Sequence, residues 1–250
     1  MTTSRRTLLR AGLTAGGAAG LAVAARLADR YGLIPPDWNG VWGAGETLTY
    51  ATQRLLMSQG SLARQFQRSQ ISQVAPVNGE YPRTPAYVHL MDASFSNWRL
   101  AVDGLVARPA SFSLAQLKQF PSRSQITEQT CEEGWSFVAE WTGVPLSYLL
   151  NLVGVLPAAK YVAFFPFDNA WDSLDMPEAW HSQTLLAYQM NGEDLPLDHG
   201  APLRLKVPRQ LGYKSVKYLA RIIVTDTLKN FGKGLGSSSP EVGYSWFAGI

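Results

Sequence analysis

The amino-acid sequence predicts an α+β fold that is mainly β, with mixed sheets and short helices. Three observations lead to this prediction. Aromatic residues make up 11% of the chain, and 22 glycines and 15 prolines supply frequent turn positions. Segments with the alternation of a strand outnumber segments with helical spacing. Helices and strands do not alternate regularly, so a parallel α/β sheet is not predicted.

In chain order, residues 1–28 form a predicted twin-arginine signal or anchor segment. Arg5 and Arg6 precede a weakly apolar run, Ala11–Ala25, which is typical of proteins exported in folded form. The fifteen residues of this run fall short of the roughly 20 that a membrane span needs. We expect the twin-arginine translocase as a partner and a periplasmic location, with a membrane anchor if the leader stays uncleaved. The alternative is a cytosolic amphipathic helix with a basic start.

Residues 29–45 are a predicted linker, and residues 46–250 are a predicted single domain. Residues 67–86 contain several prolines and are predicted to be irregular. The predicted helices are Glu46–Phe66, Ser113–Phe120 (with Ser113 as N-cap) and Pro145–Val153. The predicted strands are Trp98–Val106, Ser124–Thr130, Lys160–Phe165, Leu203–Val207 and Tyr218–Thr225.

Charge is concentrated at the N-terminus. The formal net charge is +3, and residues 1–28 contain four arginines and no acidic residue, so the remaining chain has a net charge of −1. This remainder has no basic stripe interleaved with aromatic residues, and the sequence therefore predicts no nucleic-acid partner. With 46% hydrophobic and 16% charged residues, the chain can bury a sizeable core.

Cys131 is the only cysteine, which excludes an intramolecular disulfide and a CxxC metal site. It directly follows a predicted strand and precedes Gly134, so its thiolate would face a cleft. A thiolate is a soft, strongly donating ligand for a high-valent metal. From spacing alone, a buried cysteine that acts as a small hydrophobe is the simpler interpretation. The adjacent Glu132 and Glu133 make apolar burial less favourable and also disfavour a low-pKa nucleophilic thiol.

A second candidate site is the segment 198–217, which is rich in cations. Arginine and lysine beside free backbone N–H groups suit the binding of a phosphate. The alternative is a solvated basic strand face. The five cations are Arg204, Lys206, Arg209, Lys214 and Lys217.

A third stretch, Asp168–Asp175, combines acidic and aromatic residues. It either borders a pocket or forms an ordinary surface loop with Asx turns. The three histidines lie far apart in the sequence, without the spacing of a zinc site.

Four motifs follow one another along the chain. They are Cys-x-x-Gly-Trp-Ser from Cys131, Trp-Thr-Gly-Val-Pro-Leu from Trp141, His-Gly-Ala-Pro-Leu-Arg from His199 and Gly-Tyr-Lys-Ser-Val-Lys from Gly212. Their order resembles the molybdopterin-dependent oxidoreductases of the sulfite oxidase and YedY (periplasmic protein-methionine-sulfoxide reductase) type. The resemblance runs from about Glu46 to Ile250. It implies a sulfite-oxidase-type molybdopterin-binding fold for a catalytic domain over residues 46–250.

The resemblance also implies a Mo-molybdopterin cofactor with one molybdenum and one pyranopterin. Cys131 matches the cysteine that ligates the metal, and Arg204 matches the arginine that binds the pterin phosphate. His199 stands where the methionine-sulfoxide reductases carry asparagine, so the chain departs from their pattern at this position. The positions that match cofactor-binding residues of the family are Asn78, Tyr81, Cys131, His199, Arg204, Ser215, Val216 and Lys217.

The implied reaction is a two-electron oxygen-atom transfer on a sulfur substrate. Cys131 would tune the metal, Tyr81 would line the substrate entrance, and Arg209 is a candidate contact for an oxyanion. With one redox centre, electrons would be exchanged singly with a heme partner, either a membrane heme protein or a c-type cytochrome. The single-domain exported build favours a sulfoxide or related S/N-oxide reductase over a sulfite oxidase.

Two alternatives belong to other classes of function. A non-catalytic exported binding module would keep the scaffold, although it would need neither Cys131 nor phosphate-type cations. A cysteine-nucleophile hydrolase would pair Cys131 with His181 or His199. Nothing in the sequence supplies the residue that would orient either histidine.

Overall fold

The computed structural model describes Val23, Arg26 and residues 43–250. The predicted twin-arginine segment (residues 1–28) and the predicted linker (residues 29–45) lie almost entirely outside the described residues. No helix in the described part of the chain is both long and apolar enough to cross a membrane.

Over residues 43–250, ten strands form one mixed and one antiparallel sheet that are accompanied by short helices, and the predicted α+β fold class is confirmed. The strands are Arg99–Gly104 (β1), Ala110–Ser113 (β2), Arg123–Thr130 (β3), Ser136–Pro145 (β4), Tyr161–Pro166 (β5), Asp172–Asp175 (β6), Leu185–Met190 (β7), Glu193–Asp194 (β8), Arg204–Lys206 (β9) and Leu219–Thr225 (β10). The helices are Ala44–Leu56 (α1), Pro85–Asp92 (α2), Leu114–Gln119 (α3), Leu146–Val153 (α4), Met176–Ala179 (α5) and Ser238–Glu241 (α6). Short 3₁₀ helices are Arg68–Gln70, Leu197–His199 and Gly212–Lys214.

The first sheet has the strand order β2-β1-β10-β5-β6, with β1 and β10 parallel and the other pairs antiparallel. β1 buries every second residue, as a strand with one face on the core should, whereas all four residues of β6 are buried. Leu100 and Val102 of β1 are buried in this way. They share one apolar core with Leu186 and Leu205 of the second sheet and with Leu149 of α4.

The second sheet has the order β3-β4-β7-β8, and β9 also pairs with β7. β3 and β4 pair in unbroken antiparallel register from Arg123↔Gly143 to Thr130↔Ser136. Residues 131–135 therefore form the turn that joins these two strands. The turn places Cys131 at the end of the sheet, as the strand prediction for Ser124–Thr130 implied.

The predicted helix Glu46–Phe66 is wrong in its second half. The helix ends at Leu56 because Met57 takes an extended conformation, with φ −108° and ψ 96°. Beyond it, the backbone carbonyls of Ser58 and Gln59 accept hydrogen bonds from Arg209. Leu48, Leu55 and Leu62, which suggested an apolar face, are exposed.

Eight of the described helices and strands were not predicted, namely α2, α5, α6, β2, β4, β6, β7 and β8. Pro85–Asp92 is a helix whose N-cap, Thr84, accepts a hydrogen bond from the backbone of Tyr87, with proline at its first turn. Ser136–Pro145 is the central strand β4. Asp172–Asp175, part of the acidic stretch, is a buried strand rather than a surface loop.

Candidate active site

Cys131 lies in a tight turn whose backbone holds it in place. Its N–H donates to the carbonyl oxygen of Trp135 at 2.8 Å, and the N–H of Gly134 donates to the carbonyl oxygen of Cys131 at 3.2 Å. Gly134 has φ +91°, a left-handed conformation that a glycine adopts without steric cost. The turn therefore fixes the cysteine without using its side chain.

The Cys131 thiol is almost fully buried, with 6% of the residue exposed. Its Sγ lies 3.4 Å from Oε2 of Glu132 and 3.8 Å from Nδ2 of Asn78. Burial raises the pKa of the thiol, and the Glu132 carboxylate raises it further, whereas the Glu133 backbone N–H and the Asn78 amide lower it. A thiolate here needs a cation or a metal to hold it, which fits a metal ligand better than a free nucleophile.

The opposite wall is built by β9 and the segment that follows it. The Arg204 guanidinium donates to the carbonyl oxygens of His199 and Ser215, both at 2.9 Å. Lys217 Nζ donates to the carbonyl oxygens of Asn78 and Asp198 at 2.8 and 3.0 Å. Three of these bonds lie within the segment 198–217, and the bond from Lys217 to Asn78 ties this segment to a residue that precedes the turn of Cys131.

The two walls approach closely at Gly212. A Cβ at this position would come within 2.7 Å of Nε2 of Gln129 and 3.1 Å of the carbonyl oxygen of Thr130. A side chain here would displace the Gln129 carboxamide and press against the backbone of β3. The glycine of the fourth motif thus permits this close approach.

Burial and the charge of Arg204 lower the pKa values of the basic groups on this wall. Burial lowers the pKa of Arg204 to about 10. Burial and then Arg204 lower the pKa of Lys217 to about 8, against a smaller opposite effect of Asp168 and Asp198. Burial, Arg204 and Lys217 together lower the pKa of His199 to about 4, so its ring is neutral at pH 7. Additional negative charge beside this wall would therefore be electrostatically favourable.

The structure brings most of the predicted site residues together. One cavity of about 80 Å³, called the inner cavity below, is lined by six of them. An adjoining cavity of about 280 Å³, called the outer cavity, is lined by Val216 and shares part of the wall of the inner cavity. The six residues are Asn78, Cys131, His199, Arg204, Ser215 and Lys217. Asp168 lines the outer cavity, so the acidic stretch 168–175 is divided between a cavity wall and the buried strand β6.

Two predicted residues do not line either cavity. The Arg209 side chain is 1% exposed and donates to the carbonyl oxygens of Gln59 at 2.7 Å and Ser58 at 3.1 Å. Its Nε also lies 3.8 Å from Oε1 of Glu178. The prediction that Arg209 contacts an oxyanion is therefore corrected, because its guanidinium is used to hold the chain that follows α1. Tyr81 is half-buried, and its hydroxyl accepts a hydrogen bond from Arg83.

Several residues that line the inner cavity were not singled out from the sequence as site residues. Gln129 stands two residues before Cys131, a spacing that places both side chains at one end of β3. Trp135 and Phe137 are stacked, with ring centroids 6.1 Å apart, and Phe137 meets the His199 ring edge-on at 5.7 Å. Trp135 is the tryptophan of the Cys-x-x-Gly-Trp-Ser motif and could have been identified from it. Phe137 could not, because its contact with the His199 ring joins residues that are distant in the sequence.

His181 lines neither cavity and has a structural role. Its Nδ1 accepts a hydrogen bond from the Gln183 backbone at 3.2 Å, and its Nε2 lies 3.2 Å from the Ser61 carbonyl oxygen. Burial lowers its pKa to about 4, with a further contribution from Arg209. In an unfolded chain the pKa of a histidine is about 6.5.

We expect His181 to make the protein less stable as the pH falls from about 6.5 to about 4, because only the unfolded state binds a proton there. Above this range the ring is neutral in both states. Urea unfolding at pH 7, 5.5 and 4.5 should show a smaller loss of stability for His181→Gln than for the parent. The same change at the exposed His89 serves as the comparison, and an equal pH dependence of the parent and His181→Gln would contradict the prediction.

Known proteins resemble this chain in sequence and in structure. Residues 87–231 match the oxidoreductase molybdopterin-binding domain family. The chain belongs to this family. It is 36% identical over 197 residues to a protein of Azospira oryzae named as the YedZ1 subunit of a protein-methionine-sulfoxide reductase, covering 79% of this chain and 71% of that protein.

Two further relatives cover smaller parts of this molybdopterin-binding chain. The catalytic subunit MsrP of a protein-methionine-sulfoxide reductase from Xanthomonas axonopodis is 39% identical over 143 residues, which is 51% of this chain and 44% of that protein. The structure of the sulfane dehydrogenase SoxCD from Paracoccus pantotrophus superposes with a TM-score of 0.51 and 30% identity, over 53% of this chain and 39% of that one. The chain thus spans less than half of these two relatives.

Family membership makes the protein a molybdopterin-dependent oxidoreductase, and its cavity fits an anionic pterin cofactor. Arg204 and Lys217, which line this cavity, donate only to neutral oxygen atoms, and within residues 43–250 neither forms a salt bridge with a carboxylate. A buried cation without a compensating anion is costly. The phosphate of a bound pterin would supply the missing negative charge, and the Cys131 thiol lies in the same cavity, where it would ligate the metal.

Proposed function

We propose that this protein is an exported molybdenum-cofactor oxidoreductase that removes an oxygen atom from a sulfoxide or a related S/N-oxide. One observation carries the proposal: the Cys131 thiol lines one cavity together with the cations Arg204 and Lys217, neither of which forms a salt bridge within residues 43–250. When bound, the cofactor supplies the two-electron oxygen-atom exchange. The named activities of the relatives from Azospira and Xanthomonas support a sulfoxide as the substrate class.

In this reaction the sulfur–oxygen bond of the sulfoxide breaks. The substrate takes up two electrons and two protons, and the sulfide and water leave. We propose that a separate heme protein, in the membrane or of the cytochrome c type, delivers the electrons one at a time. We also propose that Arg5 and Arg6 direct export through the twin-arginine translocase to the periplasm, with a membrane anchor if the leader is not cleaved.

The carboxylates around the cavities favour a neutral substrate over sulfite. Glu132 and Asp198 line the inner cavity, and Glu80 and Asp168 line the outer one. A carboxylate repels an anion about 4 Å away by on the order of 1–4 kcal/mol, depending on exposure to water. Arg209, the predicted contact for a sulfite-like oxyanion, is buried elsewhere. A neutral sulfoxide meets no such repulsion.

Steady-state assays of the cofactor-loaded protein in both directions test this proposal. Methionine sulfoxide is reduced with a viologen as the electron donor, and sulfite is oxidised with ferricyanide as the acceptor. We expect kcat/KM for methionine sulfoxide to exceed that for sulfite at least about a hundredfold, which is about 2.7 kcal/mol of transition-state stabilisation. A larger kcat/KM for sulfite would reverse the proposed direction, and activity with neither would reject both substrates.

A further inference from the structure

Lys206 is a buried cation behind the wall of the inner cavity. It ends β9, and 1% of it is exposed. Its Nζ donates to the carbonyl oxygen of Glu128 at 2.9 Å and to Oε1 of Gln129 at 2.5 Å, and it lies 5.2 Å from the centre of the Trp141 ring. Two oxygen acceptors and one aromatic face thus surround the ammonium. This arrangement holds Nζ at one point in the structure.

Lys206 shares its aromatic contact with Arg204. The guanidinium carbon of Arg204 lies 5.0 Å from the centre of the same Trp141 ring, and Trp141 is fully buried. Cation–π contacts of this kind compensate a buried cation only in part. Burial and the neighbouring Arg204 both lower the pKa of Lys206. An anion in the cavity would favour the charged form of both side chains.

Gln129 connects this ammonium to the cavity. A carboxamide has an acceptor end and a donor end, whereas an ammonium group only donates. Because Oε1 of Gln129 accepts from Lys206, its Nε2 must point the other way. Nε2 lies against Gly212, which lines the inner cavity together with Gln129 and Cys131. Nε2 forms no hydrogen bond with any of the residues that the structure describes.

We propose that Lys206 is a positioning residue that orients the Gln129 carboxamide, so that its N–H groups donate to the molybdopterin bound beside Cys131. Gln129 is then a cofactor contact, and Lys206 acts through it. This inference depends on the cofactor of the family and not on the substrate or the direction of the reaction. The tests of this inference measure cofactor binding, so their outcome is independent of the activity proposed above.

The first test uses Gln129→Glu in the cofactor-loaded protein. A glutamate at this position keeps the contact with Lys206, as an ion pair, and removes the donor that faces the cavity. We expect the variant to unfold at a temperature close to that of the parent but to release pterin on dialysis about tenfold faster, a factor that corresponds to about 1.4 kcal/mol. We also expect a changed electron paramagnetic resonance spectrum of the molybdenum.

The second test asks whether Lys206 acts through Gln129. Pterin release is compared in Lys206→Met, Gln129→Leu and the double variant, with Lys118→Met as the control because Lys118 is a more exposed lysine that also lies near an aromatic ring. We expect Lys206→Met to speed release in the parent and to add no further effect when Gln129 is leucine, while Lys118→Met leaves release unchanged.

The proposal is overturned if Gln129→Glu retains pterin as firmly as the parent with an unchanged spectrum. It is also overturned if Lys206→Met has the same effect with and without Gln129, since Lys206 would then act only on stability or through its charge. If Lys206→Met does not fold, the pterin release and the spectrum of Gln129→Glu alone decide whether the proposal is kept.

Discussion

Replacement of Cys131 by alanine is expected to lower turnover at least about a thousandfold, or about 4 kcal/mol in activation free energy, while the fold stays intact. Cys131 is the residue that matches the metal ligand of the family, and its side chain lies in the cavity with the cofactor-binding cations. The turn around it is held by backbone hydrogen bonds with Trp135 and Gly134. Loss of one sulfur atom should therefore cost about 1 kcal/mol of stability.

Two measurements on the exported protein check this expectation. Elemental analysis should find stoichiometric molybdenum in the parent and a reduced or altered content in Cys131→Ala. Cys131→Ser, which preserves the size of the side chain, should be similarly inactive, and circular dichroism should show parent-like secondary structure in both variants. Parent-like turnover in Cys131→Ala would reject Cys131 as the ligand. A parent protein that is folded but contains no molybdenum would favour a binding module over the enzyme.

Replacement of Asp175 by alanine is expected to destabilise the fold by about 3–5 kcal/mol. Arg54 of α1 donates to both carboxylate oxygens of Asp175, at 2.5 and 2.7 Å, and Tyr50 donates to the same carboxylate at 2.6 Å. The Arg54 and Asp175 side chains are both almost fully buried. Without Asp175, the nearest remaining carboxylate to Arg54 is that of Glu178, with a longer contact of 3.3 Å. An incompletely compensated buried guanidinium is the reason for the large cost.

The exposed ion pair of Lys118 and Asp194 provides a matched comparison. Its N···O distance of 2.7 Å is similar, but the two side chains are 34% and 74% exposed. Asp194→Ala should therefore cost less than about 1 kcal/mol. Urea unfolding measures both free energies, and limited proteolysis reports on α1, which Asp175→Ala should make more susceptible. Equal losses of stability in the two variants would contradict this account of the buried pair.

Local interactions explain the elements that could be predicted from the sequence. The capping box of α3 uses only neighbours in sequence: the Ser113 hydroxyl accepts from the Gln116 backbone at 3.1 Å, and Gln116 accepts from the Ser113 backbone at 2.8 Å. The alternation in Ser124–Thr130 likewise predicts β3 and the position of Cys131. β4 was missed because neighbouring strands and core residues cover it, and its register shifts between Thr142 and Gly143. Both features obscure the period of two.

The sequence by itself determined the fold class, the family, and six of the fifteen residues that line the inner cavity. These conclusions depend on short motifs and on strand periodicity, which are properties of neighbouring residues. Only the tertiary structure shows that the Arg209 side chain lies outside the inner cavity, whereas Arg204, five residues earlier, lines it. The carbonyls that bind Arg209 lie about 150 residues away in the sequence. The hydrogen-bond partners of a charged side chain depend on which groups lie near it and on how far it is buried. Both depend on residues that are distant in the sequence and are known only for the folded chain.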